Sequence, residues 1–314
     1  MNLPPANEAE LAALLAHTRA ERGRLSSIRL ERFDRLVDHV PEDMTATVQC
    51  GMPWGRFQDL LRAHGQHVPL DPPESPGLTV GDVLNQDLTG PRRLAWGKAR
   101  DSVLGLRAMQ ADGSIIQAGG KVVKNVAGFD LCRLLVGAGS SLAILLEATF
   151  KLVPVPASER FLSCRVDLGP PLNDLLNRVR TARISPTVLD AHPAGEGRVA
   201  VVVGFSGSDE DVRWQTERAQ AIGFLKEGSL AHEQEFWRRH QRNRIRSFSV
   251  LPSRLTPALV SLNAADWVCR AGNGLVHVTP ENAAPAPKPH TALELRLKHQ
   301  FDPDNLLPPL PARL

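Results

Sequence analysis

The stretch from Gly119 to Pro154, GGKVVKNVAGFDLCRLLVGAGSSLAILLEATFKLVP, runs from a glycine pair through a Lys-Asn pair and a short helical segment to a second glycine cluster and an apolar strand. Two glycine-rich turns around one short helix are costly in conformational entropy. A chain carries that cost where its backbone must pass close to a ligand or to another backbone.

At 314 residues the chain suffices for one large domain or two ordinary ones. A composition 42% hydrophobic and 23% charged is globular, and a net charge of +3 offers no field for a general polyanion. The Arg238, Arg239, Arg242, Arg244, Arg246 cluster has little aromatic interleaving, so it reads as a solvated or subunit-docking face and not as a nucleic-acid site. Cys50, Cys132, Cys164 and Cys269 form no CxxC pair, and the ten histidines show no HxH or HExxH spacing, so no metal site is expected. Scattered thiols fit a reducing cytosol. MNLPPANEAE has neither the basic nor the apolar region of a signal peptide. Apolar runs such as Leu142–Leu146 and Val199–Val203 are too short to span a bilayer. The expectation is a soluble cytoplasmic protein with no direct membrane insertion, membrane-associated only through partners.

Local signals place the elements. Glu8–Thr18 reads as an amphipathic helix and Met44–Cys50 as a strand. Pro53 opens a helix with Trp54, Phe57, Leu60 and Leu61 inward and Gly65 as its C-cap. Thr79–Arg93 is polar and gives no clear pattern. Asp112-Gly113 predicts a hairpin between Val103–Met109 and Ile115–Ala118. Asp130 reads as the N-cap of Leu131–Val136, ahead of any role as a base, and Gly137 stops that helix. Leu142–Val153 reads as a strand, half-buried from Glu147 onward. From Arg160 the order strand, helix, strand, strand, helix begins a ferredoxin-like split sheet. The Ala271–His277 turn, AGNGLVH, reads first as a hairpin turn and second as a substrate-lining loop. Pro280–Pro289 reads as a linker before a last helix at Thr291–Gln300.

Several of these segments match one family. Gly119, Gly120, Val122, Lys124-Asn125-Val126-Ala127-Gly128-Phe129-Asp130-Leu131, Arg133 and Leu134 follow a pattern GG-x-V-x-KNVAGYDL-x-R-L. LTVGDVLNQDLTGPRR and Arg100-Asp101-Ser102-Val103-Leu104-Gly105 follow a second, and Leu297-Lys298 with Phe301-Asp302-Pro303 a third. The chain resembles the FAD-binding E subunit of bacterial glycolate oxidase, among the flavoproteins of the vanillyl-alcohol-oxidase and p-cresol-methylhydroxylase (PCMH) type.

The resemblance implies an α+β protein. A PCMH-type FAD-binding domain of two α+β lobes would span 1–156, with its lobes at about 1–70 and 71–156. A ferredoxin-like cap or substrate domain would follow at 157–280, and a linker and helical tail returning to the flavin domain at 281–314. It implies FAD held non-covalently by Thr79, Gly81, Asp82, Thr89, Gly90, Arg92, Arg93, Gly120, Lys124, Asn125, Gly128, Asp130, Ser140, Ser141 and Ile144. Glycine amides suit a diphosphate, and the arginines add charge-assisted contacts. It implies a 2-hydroxy-acid oxidoreductase of glycolate or D-lactate type, passing hydride to flavin and electrons to a partner. The partners would be a large flavoprotein subunit and an iron–sulfur subunit. No catalytic base is assigned.

The chain departs from the family pattern in three places. The early glycine-rich loop is replaced by ERGRLSSIRLERFDRLVDH, the TVGG turn by Gly81-Asp82, and the GTLG turn by Ser140-Ser141-Leu142-Ala143. A carboxylate beside a diphosphate repels it unless it points away. A side chain at a φ > 0 position is strained. These departures keep open a rival reading, a non-catalytic assembly subunit with weakened or lost FAD binding.

Overall fold

The computed structural model describes residues 4–73, 77–120, 130–240, 244–262, 264, 266–279 and 286–312. The chain divides into two compact units. One gathers Met1–Leu88, Lys98–Val155 and Lys288–Arg313; the other is Thr89–Gly97 with Pro156–Pro287.

The first unit contains strands β1 (Leu36–Val40), β2 (Thr45–Gln49), β3 (Gln66–His67), β4 (Val103–Met109), β5 (Ile115–Gly119), β6 (Ile144–Lys151) and β7 (Val153–Pro154). Five form an antiparallel sheet in the order β1-β2-β6-β4-β5, and β3 pairs with β7. The β4–β5 hairpin forms where the Asp112-Gly113 signal places it. Gly113 has φ +87°, and Asp112 accepts from the Ser114 amide at 2.9 Å. Strand β6 is not half-buried. Leu145, Ala148 and Phe150 enter a core with Trp54 and Phe57, while Ile144 and Leu146 enter another with Leu11, Leu15 and Phe33. Its pairing with β4 slips by one residue between Arg107 and Ala108, so Leu146 is a bulge residue turned into the second core.

The Trp54–Arg62 helix buries Trp54, Phe57 and Leu61, but Leu60 is 38% exposed. The helix is capped at Ala63, and Gly65 follows at φ +69°. The tail helix Ala292–Phe301 starts at a Thr291–Glu294 capping box and brings Lys298 into the unit's interior. There Lys298 Nζ donates to the carbonyls of Ser141 (2.9 Å) and Pro308 (3.0 Å) and pairs with Asp302.

The second unit holds β8 (Ser158–Asp167), β9 (Val188–Pro193), β10 (Arg198–Gly207), β11 (Lys226–Glu227), β12 (Arg246–Ser249), β13 (Asp266–Arg270) and β14 (Leu275–Thr279). They form one sheet in the order β11-β8-β10-β9-β13-β14-β12, antiparallel throughout. The first four strands stand in the order of a split β-α-β-β-α-β unit, and three more extend its edge. Helices Pro170–Thr181, Asp209–Ala221 and Leu255–Val260 pack on one face against Val199, Val201, Val203 and Phe205. A helix at Ala231–Arg239, unread in the sequence, packs Phe236 and Trp237 with Val268 on the other face.

Candidate functional site

In the first unit four backbone segments meet at a narrow cleft of about 120 Å³. They are the loop 28–31, the end of β2 at Cys50-Gly51, the start of the Val80–Asn85 helix, and the Ser140 turn before β6. Absent side chains permit the meeting. A Cβ on Gly51 would lie 1.7 Å from the Leu30 carbonyl oxygen, and one on Gly81 3.0 Å from the Cys50 oxygen. The Gly81 amide donates to Cys50 O at 2.6 Å and the Val80 amide to Met52 O at 2.9 Å. On the other side the amides of Gly137 and Gly139 donate to Leu84 O (2.8 Å) and Asn85 O (2.9 Å). The Ser140 turn is thereby tied to the helix.

The donors left at the cleft come from an unexpected segment. The amides of Ile28, Arg29, Leu30 and Glu31 have no protein acceptor among the described residues. Backbone amides that do face a concavity suit phosphate oxygens whether or not the loop is rich in glycine. Residues 28–31 line the cleft. The space suits a small anionic group, not a whole dinucleotide.

Thr79, Gly81, Asp82, Ser140 and Ile144 line this cleft. Asp82 does not offer its charge to it. Its carboxylate accepts from the Thr79 amide (2.9 Å) and hydroxyl (2.8 Å), while its own amide donates to Thr79 Oγ1 (3.1 Å). The substitution that looked repulsive is half of a capping box. Ser140 has φ +57°, the conformation a glycine adopts without strain. Ser141 is fully buried, its carbonyl held by Lys298. Gly120 and Asp130 are not among the cleft's lining residues. The Gly120 amide donates to Leu104 O at 3.1 Å, and Asp130 caps its helix by accepting from the Arg133 amide at 3.0 Å. Lys124, Asn125 and Gly128 lie outside the described residues.

Thr89, Gly90, Arg92 and Arg93 belong to the second unit. There Arg92 makes a two-pronged contact with Glu159 (Nε 2.8 Å, Nη2 2.6 Å) and lies 5.3 Å from the Trp96 ring. Arg93 donates to Thr89 Oγ1 at 3.3 Å.

The second unit also contains a cavity of about 800 Å³, on the sheet face that its three core helices do not cover. Its lining residue His232 belongs to a buried polar group that joins three elements distant in sequence. Arg270 of β13 donates to Asp190 of β9 (3.0 Å) and to Glu233 of the Ala231–Arg239 helix (2.8 Å). Trp237 Nε1 donates to Glu233 at 2.7 Å, and His232 Nε2 lies 3.3 Å from Asp190. Burial pushes the Glu233 carboxyl up, but the charge and hydrogen bonds of Arg270 pull it further down, and the net is a lowered pKa. Asp190, His232 and Glu233 present oxygen and nitrogen atoms within 4.8 Å of one another. The Arg270 guanidinium donates to both carboxylates and offsets part of their charge. His192 stacks on His232 with centroids 4.5 Å apart. Burial, then the charge of His232, lowers its pKa to about 4.

Burial disfavours the thiolate form at all four cysteines. It raises Cys132 and Cys164 to about 11 and Cys50 and Cys269 further. The basic run holds surface ion pairs: Arg238 with Glu235 (2.7 Å) and Arg239 with Asp266 (2.8 Å). The Ala271–His277 turn is the β13–β14 hairpin, with Gly274 at φ +68°. Sequence reading missed Asp190, His192, His232, Glu233 and Arg270. The available signal was Glu233, Phe236 and Trp237 at helical spacing beside the arginines. No helix among the described residues is long and apolar enough to cross a membrane.

Comparison with known proteins bears on this geometry. Residues 17–119 match the family model described as an FAD binding domain. The chain is 30% identical over 217 residues to glycolate oxidase subunit GlcE of Escherichia coli, covering 65% of this chain and 60% of that one. It is 35% identical over 163 residues to glycolate oxidase subunit GlcD of Bacillus subtilis, covering 51% and 34%. It is 31% identical over 156 residues to D-2-hydroxyglutarate dehydrogenase of Xanthomonas citri, covering 49% and 32%. The chain thus spans between about a third and three fifths of the length of these curated relatives. An alkyldihydroxyacetonephosphate synthase structure shares the fold with a TM-score of 0.72 at 14% identity, covering 97% of this chain and 74% of that one.

Proposed function

This chain carries the FAD-binding domain of the PCMH-type FAD-linked oxidases, and on that premise we propose that it is the flavin subunit of a 2-hydroxy-acid oxidoreductase. The observation that carries the reading is the glycine-floored cleft between the loop 28–31, Gly51, Gly81 and Ser140, where the loop amides have no acceptor among the described residues. Those segments would hold the anionic part of FAD. Gly51 and Gly81 let backbone come close, and the loop amides donate. FAD, when bound, supplies the two-electron acceptor for the hydride removed from the substrate's α-carbon. Asp82 keeps its charge on Thr79 and away from the anion. Lys298 holds the Ser141 carbonyl and so fixes the Ser140 turn.

Relatives named as glycolate oxidase subunits, a D-lactate dehydrogenase and a D-2-hydroxyglutarate dehydrogenase support the hydroxy-acid class. The subunit names support work in a complex. In the proposed complex, electrons leave through a large flavoprotein partner and an iron–sulfur subunit.

A second reading, an assembly subunit that keeps the fold and has weakened its hold on FAD, is favoured by the Val80–Asn85 helix. The amides of Val80, Gly81 and Asp82 are all bonded within the protein and cannot serve a phosphate. An absorbance spectrum of the purified chain separates the two. Flavin bands, or saturable quenching of added FAD, are expected. A colourless protein that takes up no FAD on titration would falsify the flavin reading and leave the second.

A further inference from the structure

The floor of the second unit's cavity is one cross-strand row. Ala200 of β10 pairs with Arg165 of β8 on one side and with His192 of β9 on the other. A methyl group is too short to fill the row, so space opens between guanidinium and imidazole. Lys226 of β11 lies beside Ser163, two residues along β8 from Arg165, and lines the same space.

The charges of this space do not balance locally. Glu227 is taken by Arg160 at 2.7 Å, Glu235 by Arg238 at 2.7 Å, and Asp266 by Arg239 and His240, both at 2.8 Å. Arg165 and Lys226 have no partner among the described residues. His192 Nδ1 faces the Pro193 carbonyl at 3.0 Å. That contact assigns Nδ1 as the donor and leaves Nε2 a free acceptor. Beneath it, the two nitrogens of His232 face Ser229 O and Asp190 Oδ2, each at 3.3 Å. The cavity is larger than a two-carbon or three-carbon acid requires.

We propose that this cavity binds a hydroxy acid bearing two anionic groups. Arg165 and Lys226 each take one anion, and His192 Nε2 accepts the hydroxyl hydrogen. A hydroxydicarboxylate and a phosphorylated hydroxy acid share this chemistry. The hydroxyl contact rests on the hydroxy-acid reading above, whereas the two-anion preference stands without it.

Calorimetric titration of the purified chain with D-2-hydroxyglutarate, glutarate, 3-phosphoglycerate and D-lactate tests it. At least one of the two-anion hydroxy acids binds about tenfold or more tighter than D-lactate, and the winner identifies the second anion. Arg165→Ala weakens that ligand about tenfold, and Lys226→Ala removes its advantage over D-lactate. His192→Gln narrows the gap between 2-hydroxyglutarate and glutarate, which a merely structural role would not do. Arg213→Ala, on the opposite side of the sheet, changes nothing. Equal affinity for D-lactate and the two-anion acids overturns the proposal, as does an Arg165→Ala, Lys226→Ala double variant that melts like the parent and binds unchanged. A preparation that holds FAD yet shows no two-anion preference sinks this assignment alone. One that binds the diacid without flavin sinks only the flavin reading.

Discussion

Lys298 Nζ lies 2.6 Å from Asp302 Oδ2, one helical turn further on, and the Asp302 side chain has no exposed surface. The same carboxylate accepts from the amides of Leu306 and Leu307, both at 2.8 Å. The lysine's other hydrogens reach the Ser141, Leu307 and Pro308 carbonyls. The LK and FDP residues of the tail are therefore two halves of one buried clasp on the first unit.

Breaking one half leaves the other charge buried and uncompensated. Lys298→Met or Asp302→Asn should cost about 3–5 kcal/mol. The double variant should cost less than the sum of the singles. Urea denaturation of the three proteins measures this, and strict additivity of the two losses is the outcome against it.

Arg270 poses the same problem in the second unit, with a pH signature. In the parent the lowered Glu233 pKa gives stability that is present above the ordinary carboxylate range and is lost as pH falls through the folded value. In Arg270→Met the pull of the guanidinium is gone and burial, the largest influence, is opposed only by the smaller pull of His277 and His232, so the Glu233 pKa rises above its ordinary value. Stability contributed by protonated Glu233 then grows as pH falls. The variant should lose about 3–5 kcal/mol at pH 7 and recover part of that loss by pH 5. Thermal melts across pH 5–7 check it; a constant difference between variant and parent argues against the assignment.

What the sequence made legible was local. Asp112-Gly113 fixed a hairpin and Asp130 a cap because turn and cap chemistry act within four residues. The Val80–Asn85 helix was missed although Thr79 and Asp82 stand at capping spacing. Six residues are too few to show a period, and beside Gly81 the Asp82 carboxylate reads as a misplaced charge. The Ala231–Arg239 helix was missed because the arginines on its exposed side dominate the composition, while Glu233 and Trp237 face inward. The Asp190–Glu233–Arg270 group was illegible because only the pairing of β13 with β9 brings Asp190 and Arg270 together across eighty positions. The cleft was half legible. Gly81 and Ser140 lie in segments that resemble family motifs, whereas the loop 28–31 carries no compositional mark.

His192 predicts a second pH dependence of opposite origin. Its pKa is lowered from 6.5 to about 4 by burial and by the stacked charge of His232. The unfolded chain therefore binds a proton that the folded one refuses between those values. The associated stability is complete above pH 6.5 and is lost as pH falls toward 4. His192→Gln should flatten that decline while leaving stability at pH 8 within about 1 kcal/mol of the parent. Matching pH profiles for the two proteins count against it.

The two unlike backbone constraints at the cleft predict opposite effects. Gly51→Ala places a methyl 1.7 Å from the Leu30 carbonyl, which only a shift of the loop 28–31 can relieve. It should cost more than about 3 kcal/mol and abolish flavin uptake, because the loop that moves lines the cleft. Ser140→Gly relieves a side chain held at φ +57° and should stabilise the protein by up to about 1 kcal/mol, the gain being trimmed by the added freedom of the unfolded chain. FAD titration beside each melting curve separates the effects. If Gly51→Ala binds flavin as the parent does, the cleft is not where the cofactor's anion lies. If Ser140→Gly gains stability without loss of binding, the serine is a tolerated strain and not a ligand.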